Sequence, residues 1–128
     1  MPGINNKKRV LIVDDAVFAR TIIKKVIAEL DYAEVIGEAS DGYEAIEAYK
    51  NLKPDLITMD LVMPEKGGIE AIEEILKINN SVKILVVSAV GQEHLIMEAT
   101  EKGAKDFIQK PINKEELKRS IDNLLLNK

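Results

Sequence analysis

The chain has 128 residues, of which 46% are hydrophobic and none is cysteine. This length is typical of one domain, which can fold without disulfides or a structural metal. The net charge of −4 argues against a nucleic-acid partner, because such proteins present a basic face. No apolar run is long enough for a signal peptide or a membrane span. We therefore expect one cytoplasmic domain over residues 1–128.

Short apolar runs alternate with amphipathic segments along the whole chain. Five strands are predicted, at residues 9–13, 32–39, 56–60, 82–87 and 107–109. A helix is predicted after each strand, at residues 16–30, 41–52, 69–78, 92–103 and 113–126. The expected amino-terminal caps are Ser40 or Asp41 for the second helix, Gly91 or Gln92 for the fourth, and Asn113 for the last. Gly103 is expected to end the fourth helix in a left-handed conformation.

This alternation predicts an α/β fold with a parallel sheet and helices on both faces. The first, third and fourth strands are the most apolar, so they belong in the centre of the sheet. The second strand is interrupted by Glu34, Gly37 and Glu38, and the fifth is less apolar, so both belong at the edges. The resulting strand order is 2-1-3-4-5, which is the layout of flavodoxin-like proteins.

Polar side chains follow four of the predicted strands at the point where each strand ends. Asp14 and Asp15 follow the first strand, Asp60 ends the third, Ser88 follows the fourth and Lys110 follows the fifth. The carboxyl ends of parallel strands meet at one edge, where open α/β sheets bind their ligands. A single aspartate at a strand end is usually a turn former or a helix cap. The combination of all five residues predicts a functional site instead.

The chemistry of this cluster favours a metal ion and a phosphoryl group. Three carboxylates that converge repel one another and raise each other's pKa unless a cation lies between them. Mg²⁺ binds to one or two carboxylates together with water and phosphate oxygens. Lys110 adds a positive charge, and carboxylates act as nucleophiles that form aspartyl phosphates in other proteins. We therefore expect a magnesium-dependent phosphoryl-transfer site.

The motifs at these strand ends resemble a known family. They are Val13-Asp14-Asp15, Asp60 with Met63-Pro64 and Gly68, Ser88-Ala89 and Lys110-Pro111. Over essentially the whole chain, the sequence resembles the receiver domain of two-component response regulators. Within that family it is most similar to stand-alone chemotaxis regulators of the non-enteric bacterial or archaeal type.

The resemblance implies a role for each residue at the predicted metal and phosphate site. Asp60 would accept a phosphoryl group from a sensor histidine kinase. Asp15, Asp60 and the backbone carbonyl of Val62 would ligate Mg²⁺, and Asp14 would act mainly through water. Lys110 would pair with the phosphoryl oxygens.

The resemblance also implies a conformational switch. The Ser88 hydroxyl would move to the phosphate, with the backbone N–H groups of Val62 and Ala89 nearby. Phe107, at a position where many chemotaxis members carry tyrosine, would turn inward as Ser88 moves. The face made by the fourth helix, fifth strand and fifth helix would then differ between the phosphorylated and unphosphorylated states. The Lys110-Pro111 bond would be cis.

The implied partners are a sensor histidine kinase, a flagellar motor switch or archaellum adaptor protein, and a phosphatase. A monomer is expected, with no catalysis beyond its own phosphorylation and dephosphorylation. One alternative is a phosphorelay intermediate that passes the phosphoryl group to a second histidine. A second is an aspartate-nucleophile phosphatase, which would need an acid where Val62 stands. A third, a flavin or nucleotide binder, would need Gly, Ser or Thr in the first loop instead of Asp14-Asp15.

Overall fold

The computed structural model describes residues 6–126, which form one parallel sheet with helices on both faces. The strands are β1 (Lys8–Val13), β2 (Ala33–Ala39), β3 (Leu56–Met59), β4 (Lys83–Ser88) and β5 (Asp106–Gln109). The helices are α1 (Val17–Ala28), α2 (Gly42–Leu52), α3 (Gly68–Ile78), α4 (Glu93–Lys102) and α5 (Lys114–Leu126). The strand order is β2-β1-β3-β4-β5, all parallel, which confirms the predicted fold. Within this described part, no helix has the length and apolar character needed to cross a bilayer.

The three central strands are buried on both faces because their side chains alternate between two cores. Leu11 and Val13 of β1 point into the core beneath α2, α3 and α4. Val10 and Ile12 point into the core beneath α1 and α5. The nearly continuous apolar composition of β1, β3 and β4 is what a strand covered on both sides requires.

The predicted helix boundaries agree with the structure to within a few residues. Asp41 caps α2, where its side chain accepts a hydrogen bond from the Glu44 N–H at 2.9 Å. Asn113 accepts one from the Glu116 N–H at 2.8 Å. Gly103 ends α4 with φ of +121°, as expected for a glycine in that position.

The start of α1 lies within one residue of the predicted position, and no side chain caps it. The residue at the cap is Ala16, which offers no side-chain hydrogen bond. Asp14 instead accepts a hydrogen bond from the Ala16 N–H at 2.9 Å within the loop. Val17, the first residue of α1, is 66% exposed.

The loop between β3 and α3 is folded tightly back onto the end of β3. The Gly68 N–H donates a hydrogen bond to the Leu61 carbonyl at 3.1 Å. A Cβ atom at Gly68 would lie 2.2 Å from the carbonyl oxygen of Asp60. Glycine is therefore required at this position by close backbone approach, since no side chain fits there.

We expect Gly68→Ala to destabilise the protein by about 2 kcal/mol or more, because the added methyl group clashes with backbone. Helix propensity alone would favour alanine here, so the sign of the effect tests the close approach. The measurement is urea unfolding. Gly67→Ser is the control, since its Cβ would lie 3.4 Å from the Leu61 carbonyl and serine is favoured at a helix N-cap. A Gly68→Ala protein as stable as wild type would contradict the prediction.

Candidate functional site

The ends of β1 and β3 bring the predicted carboxylates together. Val13 and Met59 are register partners, and the Asp60 N–H donates a hydrogen bond to the Val13 carbonyl at 3.0 Å. The residues that follow these partners leave the sheet side by side. Asp14, Asp15 and Asp60 each offer an oxygen, and these oxygens all lie within 4.8 Å of one another. The predicted convergence of three carboxylates is confirmed.

The three carboxylates differ sharply in their exposure to water. Asp14 is 1% exposed and Asp60 is 4% exposed, whereas Asp15 is exposed. Two negative charges are therefore held in a buried position, and the third lies at the mouth of the cluster. A charge buried in this way is costly unless it is paired or coordinates a cation.

Lys110 supplies the positive charge that the sequence predicted. Its Nζ lies 3.0 Å from Oδ2 of Asp14 and 3.8 Å from Oδ2 of Asp60. The Lys110 N–H donates to the Ser88 carbonyl at 2.7 Å, which ties the residue to the end of β4. The Lys110-Pro111 bond is cis, as the resemblance implied.

One ammonium group does not neutralise three carboxylates, and the effect is seen in the pKa of Asp60. Burial, followed by the negative charge of Asp14, raises the pKa of Asp60 from 3.8 to about 7. The charge of Lys110 and a hydrogen bond from the Val62 N–H oppose this rise. The position thus holds excess negative charge that a further cation would relieve.

This donor set fits a hard divalent cation. All of the side-chain donors are carboxylate oxygens, and one of them, Asp15, is reached from solvent. Mg²⁺ prefers oxygen ligands and retains several waters, so a partly open cluster suits it. Asp15, Asp60 and the Val62 carbonyl are the groups that would hold the ion.

The residues expected to contact a phosphoryl group follow β3 or lie at the end of β4. Ser88 is fully buried at the end of β4, and its Oγ has no hydrogen-bond partner within residues 6–126. The Ala89 N–H already donates to Oε1 of Gln92 at 3.2 Å. The Val62 side chain is 52% exposed, so it lies at the rim of the cluster. A buried hydroxyl without a partner is unusual and is consistent with a group that moves.

Phe107 lies on β5, away from the carboxylates, and its ring is 47% exposed. It borders a groove of about 490 Å³ between α4 and β5. The lining residues of this groove are Glu93, Ile96, Met97, Thr100, Phe107 and Gln109. The expected switch residue therefore faces outward in this structure, on the face that the resemblance assigns to partner binding.

Two residues next to the site were not identified from the sequence. Arg20 donates a hydrogen bond to the backbone carbonyl of Asp14. The Gln92 side chain accepts a hydrogen bond from the Ala89 N–H. Neither lies at a strand end, and both act on backbone atoms, for which residue type carries little signal. A hint for Arg20 in the sequence was a charged residue directly after the apolar run Val17-Phe18-Ala19.

The fold and the site together define the class of the protein. Residues 10–122 match the response regulator receiver domain family. The match covers most of the chain, and the chain belongs to this family of two-component signalling domains. The resemblance drawn from the strand-end motifs is confirmed.

Individual relatives within this family are chemotaxis proteins. CheY of Thermotoga maritima is 58% identical over 104 residues, which are 81% of this chain and 86% of that protein. CheY of Halobacterium salinarum is 38% identical, with 92% of this chain and 97% of that protein covered. Among solved structures, the CheX-CheY-BeF3-Mg+2 complex of Borrelia burgdorferi gives a TM-score of 0.85 at 32% identity, covering 91% of this chain and 88% of that chain. The chain is thus similar to CheY proteins of both bacteria and an archaeon.

The raised pKa of Asp60 predicts an unusual pH dependence of stability without metal. Between 3.8 and about 7, the folded protein keeps a proton that the unfolded chain has released. Stability therefore falls as the pH rises through this window. Asp60→Asn removes this titrating group. Above neutral pH, the free energy of unfolding of this variant should exceed that of wild type by up to about 4 kcal/mol. Urea unfolding in the presence of a chelator measures the difference.

Asp15→Asn is the matched control for this prediction, because it removes an exposed carboxylate from the same cluster. Its gain in stability should be much smaller than that of Asp60→Asn. Parallel stability curves for wild type and Asp60→Asn across the window would contradict the burial of a titrating Asp60.

Proposed function

We propose that this protein is a phosphorylation-activated response regulator of a two-component chemotaxis system, and that residues 1–128 act as a single receiver domain. Asp60 accepts a phosphoryl group from a sensor histidine kinase. The observation that carries the proposal is the buried Asp60 carboxylate beside Asp14 and Lys110. Membership of the receiver family and the similarity to CheY proteins support it.

The transfer joins an oxygen of Asp60 to phosphorus while the bond from phosphorus to the histidine nitrogen breaks. The electron pair of that bond stays on the imidazole, which then takes up a proton. Asp60 must be ionised to attack, and a cation beside it favours the ionised form against the burial that raises its pKa to about 7. Bound Mg²⁺ would neutralise charge on the carboxylates and on the phosphoryl oxygens.

Each neighbouring residue has a role in holding the phosphoryl group. Lys110, now 3.0 Å from Asp14, turns its ammonium group to a phosphoryl oxygen. The N–H groups of Val62 and Ala89 donate to the other oxygens. The Val62 N–H must leave the Asp60 carboxylate, and the Ala89 N–H must leave Gln92.

The buried hydroxyl of Ser88 links the phosphoryl group to the output face. Ser88 lacks a hydrogen-bond partner among the described residues, so a phosphate oxygen offers it a bond that this structure does not. Its movement makes room for Phe107, which turns inward from the groove between α4 and β5. The changed face of α4, β5 and α5 binds a flagellar motor switch or an archaellum adaptor protein. A phosphatase that reaches the Asp60 phosphate would return the switch to rest.

We expect an acyl phosphate such as acetyl phosphate to label the protein once, at Asp60, only when Mg²⁺ is present. Intact-mass spectrometry measures the added phosphoryl group. Asp60→Asn should abolish labelling, since the nucleophilic oxygen is lost. Glu65→Gln is the control, because it removes an exposed carboxylate of the same loop. Labelling of Asp60→Asn to the wild-type extent would contradict the proposal.

A pull-down with beryllium fluoride, a phosphoryl mimic, separates chemotaxis from a phosphorelay. We expect beryllofluoride and Mg²⁺ to increase binding to a motor switch or archaellum adaptor protein. Ser88→Ala should bind the mimic but lose most of this increase, since the hydroxyl is absent, and Ser88→Thr should retain it. Transfer of phosphate from Asp60 to a second histidine protein, without stronger binding of a motor protein, would favour the phosphorelay instead.

A further inference from the structure

Arg20 of α1 connects the first acidic loop to the edge strand β2. Its Nη1 donates a hydrogen bond to the backbone carbonyl of Asp14 at 2.5 Å. Its Nε donates to Oε1 of Glu38 at 2.8 Å. The side chain is only 17% exposed. A single guanidinium group therefore links the backbone carbonyl of Asp14 to the carboxylate of Glu38 on β2.

Glu38 is held in position to orient this guanidinium. Its second carboxylate oxygen, Oε2, lies 3.0 Å from Nζ of Lys24, one turn further along α1. Hydrogen bonding to Lys24, with a smaller contribution from Arg20, lowers the pKa of Glu38 despite its partial burial. The carboxylate consequently stays ionised over the neutral range and keeps both cations in place.

The carbonyl that Arg20 contacts belongs to the peptide between Asp14 and Asp15. Because a peptide unit is planar, holding this carbonyl sets the plane from which both aspartate side chains leave the backbone. The loop is otherwise tied by the Asp14 N–H to the Ala39 carbonyl at 3.0 Å and by the Ala16 N–H to Asp14 Oδ1 at 2.9 Å. Neither of these bonds acts on the plane of the peptide that joins the two carboxylates.

We propose that Arg20 is a positioning residue for the magnesium site, which aims Asp14 and Asp15 at the ion without contacting it. The inference rests on the proposed function, because it concerns the same metal site. Such supporting contacts usually govern metal affinity strongly, since a ligand held loosely must be ordered when the ion binds.

A positioning role for Arg20 and simple electrostatics predict opposite changes in Mg²⁺ affinity when Arg20 is replaced. Arg20 is a positive charge close to the cluster, so its removal should strengthen the binding of a cation if charge alone mattered. Loss of positioning should instead weaken it. We expect Arg20→Met to bind Mg²⁺ about tenfold more weakly than wild type.

Lys24→Met is the matched control for this experiment. It also removes one positive charge and one partner of Glu38, but Lys24 makes no contact with the Asp14 carbonyl. Its Mg²⁺ affinity should equal or slightly exceed that of wild type. Titration of the metal-free proteins with Mg²⁺, followed by calorimetry and by the amide NMR signals of Asp15 and Ala16, measures both variants. Urea unfolding checks that each variant is folded.

Arg20→Lys keeps the charge but cannot span two anchors with one ammonium group. It should bind Mg²⁺ more weakly than wild type, and it tests the same contact if Arg20→Met does not fold. Wild-type affinity in the folded Arg20 variants, or tighter binding, would overturn the positioning role alone. A wild-type protein that binds no Mg²⁺ would instead overturn the proposed function on which this role rests.

Discussion

The repulsion among three carboxylates at one edge of the sheet is the constraint on which the functional part of this structure depends. Two of them, Asp14 and Asp60, are almost completely buried, and only one ammonium group, that of Lys110, lies beside them. The fold therefore holds a local excess of negative charge, at the expense of stability near neutral pH. A bound cation would relieve this excess of charge.

The strand order places the residues of the site on neighbouring strand ends. Asp60 lies on the central strand β3, whereas Ser88 ends the adjacent strand β4 and Lys110 follows the edge strand β5. The hydrogen bond from the Lys110 N–H to the Ser88 carbonyl joins these two strand ends. A ligand that attracts the side chains of both Ser88 and Lys110 would therefore act on β4 and β5 together. These strands lie next to the groove that Phe107 borders. On the opposite flank, Arg20 and Glu38 join α1 and β2 to the same cluster.

Most of the fold could be predicted from the sequence because its signals are local and consistent. The apolar runs of β1, β3 and β4 identified the central strands, and Glu34, Gly37 and Glu38 marked β2 as an edge. Asp41, Gly103 and Asn113 placed helix ends by capping chemistry that involves only near neighbours in the chain. The start of α1 was also predicted to within one residue, although no side chain caps it, because the Asp14 side chain is used within its own loop and Ala16 takes the cap position.

The sequence by itself determined which charged residues converge at the site, since the residue types at the strand ends and the order of the strands specify which groups can meet. Only the tertiary structure decided that Asp14 and Asp60 are buried while Asp15 reaches solvent, and that Ser88 is left without a partner among residues 6–126. It also decided that Arg20 and Gln92 bind backbone atoms beside the cluster. The physical reason is that exposure and hydrogen bonding depend on distances between segments far apart in the chain, which residue type and spacing do not encode.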